Sequence, residues 1–103
     1  MFKVRISPHW EIKRAEGSPL DTAVLLSLLR GIEETGSIAR AAQMVGLSYR
    51  YAWGLLREAE SLFGHSLMQT GRGRGTSLSP LADKLIWADR RIAARLSPTL
   101  DSL

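Results

Sequence analysis

The spacing of apolar and polar residues changes along the chain, and the changes predict the order of its elements. Residues 2–6 alternate apolar with polar and predict a half-buried strand, and residues 9–14 predict a second short strand that folds back. From residue 20 onward, apolar residues recur at intervals of three and four, which is typical of helices that pack by one face. The pattern predicts a mainly α protein with a small β component.

Serine caps, prolines at first helical positions and closing glycines divide the helical part into separate helices. The predicted helices cover residues 19–34, 38–45, 49–63 and 80–96. Ser18-Pro19 begins the first helix, and Ser97-Pro98 is expected to stop the last. Residues 67–70 and 76–78 predict two short strands. All of this fits one domain over residues 1–103, since the chain is too short for a second core.

The second and third predicted helices are joined so closely that small side chains must form their contact. Ala41 and Ala42 precede Gly46, which permits the positive φ of a sharp turn, and Ala52 follows in the next helix. This spacing predicts a helix-turn-helix over residues 37–63. The alternative is an αα-hairpin that binds nothing.

The outward side of the third helix favours a helix-turn-helix that binds DNA over an αα-hairpin that binds nothing. If Ala52, Leu56 and Ala59 point inward, hydroxyl, aromatic and guanidinium groups point outward. Such a face suits the major groove of DNA, where an arginine can bind guanine through two donors. The predicted DNA-binding residues of the helix-turn-helix are Ser37, Ser48, Tyr49, Arg50, Trp53 and Arg57.

Several members of this face also have other interpretations. Trp53 could pack against the wing, and Arg57 could pair with Glu58 or Glu60. The exposed rings could also form the hot spot of a winged-helix protein-interaction module without specific DNA binding. Retention on heparin and DNA, compared with retention by proteins of a cell extract, would separate the two functions.

The two predicted strands form a wing over residues 67–78 whose tip is the stretch GRGRG. Arg72 and Arg74 on this tip are expected to lie along the DNA backbone or in the minor groove. The tip lacks the glycine of a dinucleotide fingerprint at Thr76 and the Gly-Lys-Ser/Thr of a P-loop. A simple flexible turn is the remaining alternative.

The charge balance favours a nucleic acid as partner. Fourteen Lys and Arg oppose ten Asp and Glu, which gives a net charge of +4. All but three of the basic residues are arginines, whose planar group suits forked recognition of phosphate and guanine. Without cysteine, the chain has no disulfide, thiolate metal site or thiol nucleophile. Since no apolar run approaches the roughly 20 residues of a membrane span, we expect a cytoplasmic protein.

Signals of catalysis are missing from the sequence. His9 and His65 lie far apart in sequence, and no acid pair, metal-ligand spacing or nucleophile–base set is visible. We therefore expect no enzyme, no catalytic residue, no metal and no cofactor.

The last predicted helix carries more apolar surface than a small core can cover. A two-fold homodimer through this helix would bury that surface and set two recognition helices about 34 Å apart on successive major grooves. The alternative is a monomer in which the stripe covers its own first helix. The predicted dimer-interface residues are Leu81, Leu85, Trp87, Ile92 and Leu96.

Two family resemblances agree with this interpretation. From residue 37 onward, the chain resembles the winged helix-turn-helix of LysR-type regulators. The residues that carry this resemblance are Ser37, Ala41-Ala42, Ser48, Glu60, Gly64, Leu67, Arg72 and Leu78-Ser79. The stretch TGSIARAAQMVGLSYRYAW resembles the DNA-binding domain of ModE-type, molybdate-responsive regulators, most sharply in its Ser-Tyr and Ala-Trp pairs. The resemblance covers about residues 20–96. It implies a transcription factor that binds palindromic operators as a dimer through its third helix and wing. Since ModE-type regulators sense molybdate through C-terminal domains, we expect no effector site in this chain.

Overall fold

The computed structural model describes residues 11–13, 19–70 and 75–101. Its elements are arranged as a winged helix-turn-helix, so the predicted mainly α fold with a small antiparallel sheet is confirmed. The predicted strand over residues 2–6 lies outside the described residues. Of the predicted strand over residues 9–14, only residues 11–13 are described, and there Ile12 forms an isolated bridge with Leu20 and no strand. In chain order the elements are α1 (Thr22–Thr35), α2 (Ile38–Met44), α3 (Tyr49–Phe63), β1 (Met68–Thr70), β2 (Thr76–Leu78) and α4 (Pro80–Asp101).

The start of α1 differs from the prediction, because the helix begins at Thr22 and not at Pro19. The Leu20 N–H donates to the Ile12 carbonyl at 2.9 Å in an isolated antiparallel bridge, so Leu20 is not helical. Asp21 is the N-cap instead. The buried Thr22 hydroxyl stabilises this start of the helix, since it accepts from the Ile12 N–H and donates to the Leu20 carbonyl. The prediction was wrong because a pairing between residues distant in sequence prevailed over the local cap signal.

The end of α4 also differs from the prediction. The helix runs to Asp101, past the Ser97-Pro98 pair that was expected to stop it. A proline removes one backbone donor and therefore one hydrogen bond of a helix. Because Pro98 lies in the last turn, this loss is confined to the end of the helix. The other helix bounds agree with the prediction to within one residue, since α1 ends at Thr35 and not at residue 34, and α2 ends at Met44 with Val45 as its C-cap.

One hydrophobic core joins the described helices, and α1 and α2 cross closely within it. A Cβ added at Gly31 would lie 2.9 Å from the Ala41 Cβ and 3.2 Å from the Ala41 Cα. Since Cβ contacts below 3.0 Å essentially never occur, the crossing depends on a residue without a side chain. The large fully buried side chains around it are Leu25, Leu28, Leu29, Ile32, Leu56, Leu67 and Ile86.

The N-terminal half of α4 closes this core against α1. Ala82 and Ile86 are buried there. Two ion pairs join the same helices at the surface: Arg30 with Asp89 at 2.9 Å, and Arg90 with Glu33 at 3.0 Å. Because these side chains are partly exposed, each pair contributes only about 0–1 kcal/mol to stability. The apolar contact therefore dominates the docking of α4.

Candidate nucleic-acid interface

The turn between α2 and α3 sets which side of α3 faces solvent. Gly46 adopts a φ of +75°, and the Leu47 N–H donates to the Ala42 carbonyl at 2.8 Å, so the chain reverses within a few residues. Ser48 then caps α3, its hydroxyl accepting the Tyr51 N–H at 3.0 Å. The residues that bury α3 in the core are Ala52, Leu55, Leu56 and Ala59. This places Tyr49, Arg50, Gly54 and Arg57 on the exposed side, as predicted.

The aromatic rings on this side form an ordered row with one guanidinium. Tyr49 and Trp53 meet edge to face, with ring centroids 6.2 Å apart and planes at 86°. The Arg57 Cζ lies 5.6 Å from the Trp53 ring centroid, within the range of a cation–π interaction. Trp53 is half-buried and also packs against the core, so it orients Arg57 while remaining partly open to a ligand.

Neither Glu58 nor Glu60 forms an ion pair with Arg57 among the described residues, so that alternative finds no support. Glu60 faces the wing, where its Oε2 accepts from the Ser66 hydroxyl and from the Leu67 N–H, both at 2.9 Å. Arg57 instead lies over Trp53. Its guanidinium donors therefore remain on the outward side of α3 with those of Arg50.

A shallow open depression lies between the rings and the guanidiniums, and we name it the α3 depression. Tyr49, Arg50, Trp53, Gly54 and Arg57 line it. Two aromatic rings and two guanidinium groups border it, and Gly54 adds no side chain to its lining. Such a surface can accept a flat or apolar group while the guanidiniums bind acceptors on either side.

The two predicted serine contacts are helix caps. The hydroxyl of Ser37 accepts the Arg40 N–H at 3.2 Å, as Ser48 does for Tyr51 at the start of α3. A serine hydroxyl that accepts a cap bond still has its own proton to donate. Both serines can therefore donate to a phosphate while they cap their helices. Ser48 is exposed and Ser37 is half-buried.

Backbone contacts fix the base of the wing to the helix-turn-helix. The Thr76 N–H donates to the Gly36 carbonyl at 3.0 Å, just before α2, and the Ser79 N–H donates to the Leu67 carbonyl at 3.0 Å. Together with the bond from Leu67 to Glu60, these contacts hold both strands beside α1 and α3. Periodicity in the sequence did not reveal these anchors. Arg72 and Arg74 at the tip lie outside the described residues.

The predicted dimer-interface residues on α4 fall into two groups. Leu81 and Leu85 are half-buried and pack against the core of their own chain. Trp87 and Ile92 are open, with 59% and 38% of their surface exposed. The Arg91 guanidinium lies over the Trp87 ring at 4.9 Å. Leu96 belongs to α4, but its side chain is outside the described part of the structure. The open apolar surface is thus centred on Trp87 and Ile92.

Two other kinds of site are absent from the described ranges. No helix there is long and apolar enough to cross a membrane. The same residues hold no group of three or more His, Asp or Glu side chains placed to bind a metal ion.

The chain resembles known bacterial proteins over this same region. Residues 24–83 match the model of the family "bacterial regulatory helix-turn-helix protein, lysR family". The chain is 42% identical over 73 residues to the molybdenum transport protein ModE of Herbaspirillum seropedicae. It is 36% identical over 81 residues to the molybdenum-pterin-binding protein MopB of Rhodobacter capsulatus, and 28% identical over 82 residues to the transcriptional regulator ModE of Yersinia pestis.

These similarities span most of this chain and a minor part of each relative. The three alignments cover 67%, 75% and 76% of the chain but 27%, 30% and 31% of the respective relatives. Among solved structures, a mutant of OxyR from Corynebacterium glutamicum with hydrogen peroxide bound matches with a TM-score of 0.58 and 18% identity. That match covers 79% of this chain and 24% of the other. At this identity it shows a shared fold.

Proposed function

Because the chain belongs to the lysR family of bacterial regulatory helix-turn-helix proteins, with a helix-turn-helix of the ModE type, we propose that it binds double-stranded DNA sequence-specifically and regulates transcription. In this proposal α3 enters the major groove. The observation that carries it is the exposed side of α3, where Arg50 and Arg57 border the α3 depression next to two aromatic rings. The bacterial cytoplasm is then its place of action.

The assignment of α3 rests on the match between its chemistry and that of a base edge. Arginine binds the two acceptors of guanine in the major groove through a planar fork. Arg50 lies in the first turn of α3, the part of a recognition helix that contacts bases. The free backbone amides of that turn add a partial positive charge that favours a nearby phosphate.

The wing has a different role in this proposal. Arg72 and Arg74 would contact phosphates or a narrow minor groove, which holds position without reading the major-groove code. The supporting observation is the base of the wing, which hydrogen bonds from Thr76 and Leu67 tie to the helix-turn-helix. A wing fixed in this way would contact DNA at a set distance from α3.

The proposal covers DNA binding alone, because the chain matches only part of each relative. The chain spans about 30% of the length of the curated relatives that it matches. Two of those relatives are named for molybdenum. We assign no effector site to the described residues, and we propose DNA binding as the contribution of this chain.

Salt dependence is the first test of the proposal. The affinity for a random-sequence duplex should fall steeply with salt, with a slope of log K against log[salt] near −0.9 for each phosphate neutralised, because binding releases condensed counterions. Fluorescence anisotropy over a range of salt concentrations measures this slope. A flat dependence would contradict the proposal. It would favour the alternative, in which the rings of α3 dock a protein partner.

The open apolar surface of α4 leads us to propose a two-fold homodimer. Trp87→Glu in both copies should weaken self-association about thirtyfold or more, since a buried interface tryptophan typically contributes at least about 2 kcal/mol. Because Trp87 is exposed within one chain, the fold of each chain should keep its stability to within about 0.5 kcal/mol. Sedimentation equilibrium measures the association.

Trp87→Phe is the matched control, because it keeps an apolar ring and should retain most of the association. The dimer proposal would be wrong if the wild-type chain sedimented as a monomer at tens of micromolar. It would also be wrong if Trp87→Glu dimerised as tightly as the wild type.

A further inference from the structure

Gly54 is a glycine in the interior of an exposed helix, where glycine is normally unfavourable. It lies in the middle of α3, and a Cβ added there would meet no atom within 4 Å. No described residue therefore prevents a side chain at this position. Yet glycine is among the residues least favourable to a helix interior, because it loses the most conformational freedom on folding.

The other described glycines have a reason within the chain that Gly54 lacks. Gly31 lies where a Cβ would collide with Ala41. Gly36, Gly46, Gly64 and Gly75 have positive φ values, which residues with side chains rarely adopt. Gly54 has helical dihedrals and open space. The described residues give no reason for its missing side chain, which directs attention to a ligand that approaches α3 from outside.

The surroundings of Gly54 indicate what would come close to it. It lines the α3 depression together with Arg50, Trp53 and Arg57. Arg50 precedes it by one helical turn and Arg57 follows by one, so both lie on the same side of the helix. A ligand that contacts the backbone at Gly54 is therefore within reach of both guanidinium groups.

We propose that Gly54 is a positioning residue, at which base edges in the major groove contact the α3 backbone directly. This inference rests on the proposed function and deepens it. A helix that lacks a Cβ at its closest point can approach the groove floor more nearly, and glycine commonly serves where a backbone approaches a ligand. A methyl group at this position would hold α3 away from the bases. It would thereby lengthen the contacts that Arg50 makes.

The test depends on stability and binding changing in opposite directions. Gly54→Ala should raise the melting temperature by several degrees, because alanine favours the helix and finds open space. The same variant should bind a duplex recovered by the wild-type chain from a random pool about tenfold more weakly. Gly54→Leu should bind more weakly still. Thermal unfolding by circular dichroism and fluorescence anisotropy give the two quantities.

Gly64→Ala, at the C-cap of the same helix, is the matched control. Its Cβ would also meet nothing within 4 Å, but its φ of +69° is strained for alanine. It should therefore lower the melting temperature and leave the affinity unchanged at temperatures where the variant is folded.

Three outcomes would overturn the inference, and they can be told apart. If the wild-type chain recovers no preferred duplex, the proposed function fails and this inference fails with it. If the wild type recovers one and Gly54→Ala binds it equally well, the proposed function stands and only the role of Gly54 is lost. A lower melting temperature for Gly54→Ala would also overturn the inference, because the site would then not be open.

Discussion

Gly31→Leu is expected to lower the free energy of unfolding by about 3 kcal/mol or more, and the melting temperature by about 10 °C or more. The reason is the crossing of α1 and α2, where even a Cβ would lie 2.9 Å from that of Ala41. The Ala41 Cα at 3.2 Å is backbone and cannot turn aside. The two helices must separate to admit leucine. Thermal and denaturant unfolding measure the loss.

Gly54→Leu is the matched control for this prediction. It makes the same exchange in the interior of a helix, at a position where a Cβ meets no atom within 4 Å. Its stability should stay at or above that of the wild type, because leucine favours a helix more than glycine does. If Gly31→Leu were as stable as Gly54→Leu, α1 and α2 could not cross as closely as described. The placement of α3 relative to α1 would then be in doubt.

Arg50→Ala is expected to reduce the preference for the selected duplex over a duplex with one changed base by roughly 5- to 150-fold, equivalent to about 1–3 kcal/mol. The physical reason is the loss of a forked donor from the exposed first turn of α3. Competition anisotropy, with each position of the site changed in turn, locates the base pair at which the preference is lost.

Two variants separate base reading from charge in this experiment. Arg50→Lys keeps the charge but lacks the planar fork, so it should retain the salt slope and still lose base preference. Arg72→Ala and Arg74→Ala should weaken binding to all sequences alike, because a phosphate contact carries no base information. Equal loss of base preference in the wing variants and in Arg50→Ala would refute this division of roles.

Local signals in the sequence were sufficient for the helix-turn-helix. The helix α3 begins after Ser48 and ends before Gly64, as predicted. Both ends were predictable because a cap bond and a positive φ depend only on neighbouring residues. The start of α1 was not predictable in this way. There the cap signal at Ser18 competed with a bridge between Ile12 and Leu20, which no local pattern reveals.

The exposed side of α3 was predictable from the sequence, but the arrangement of its side chains was not. Helical periodicity placed Tyr49, Arg50 and Arg57 outside, and the structure agrees. It could not show that Arg57 lies over Trp53, because an arginine side chain can reach several neighbours from one backbone position. It also gave Gly54 no special meaning. The role proposed for Gly54 depends on the open space around it, which only the three-dimensional structure shows.

Selection of bound sequences from a pool of random duplex DNA tests most directly whether the exposed side of α3 reads bases. We expect the wild-type chain to enrich one sequence whose two half-sites are related by a two-fold axis, with centres about 10 base pairs apart. Selection with Arg50→Ala should lose the preference at one position of each half-site and keep the spacing. A wild-type pool that stays random after repeated rounds, while the protein still binds DNA, would contradict the proposal that α3 recognises sequence.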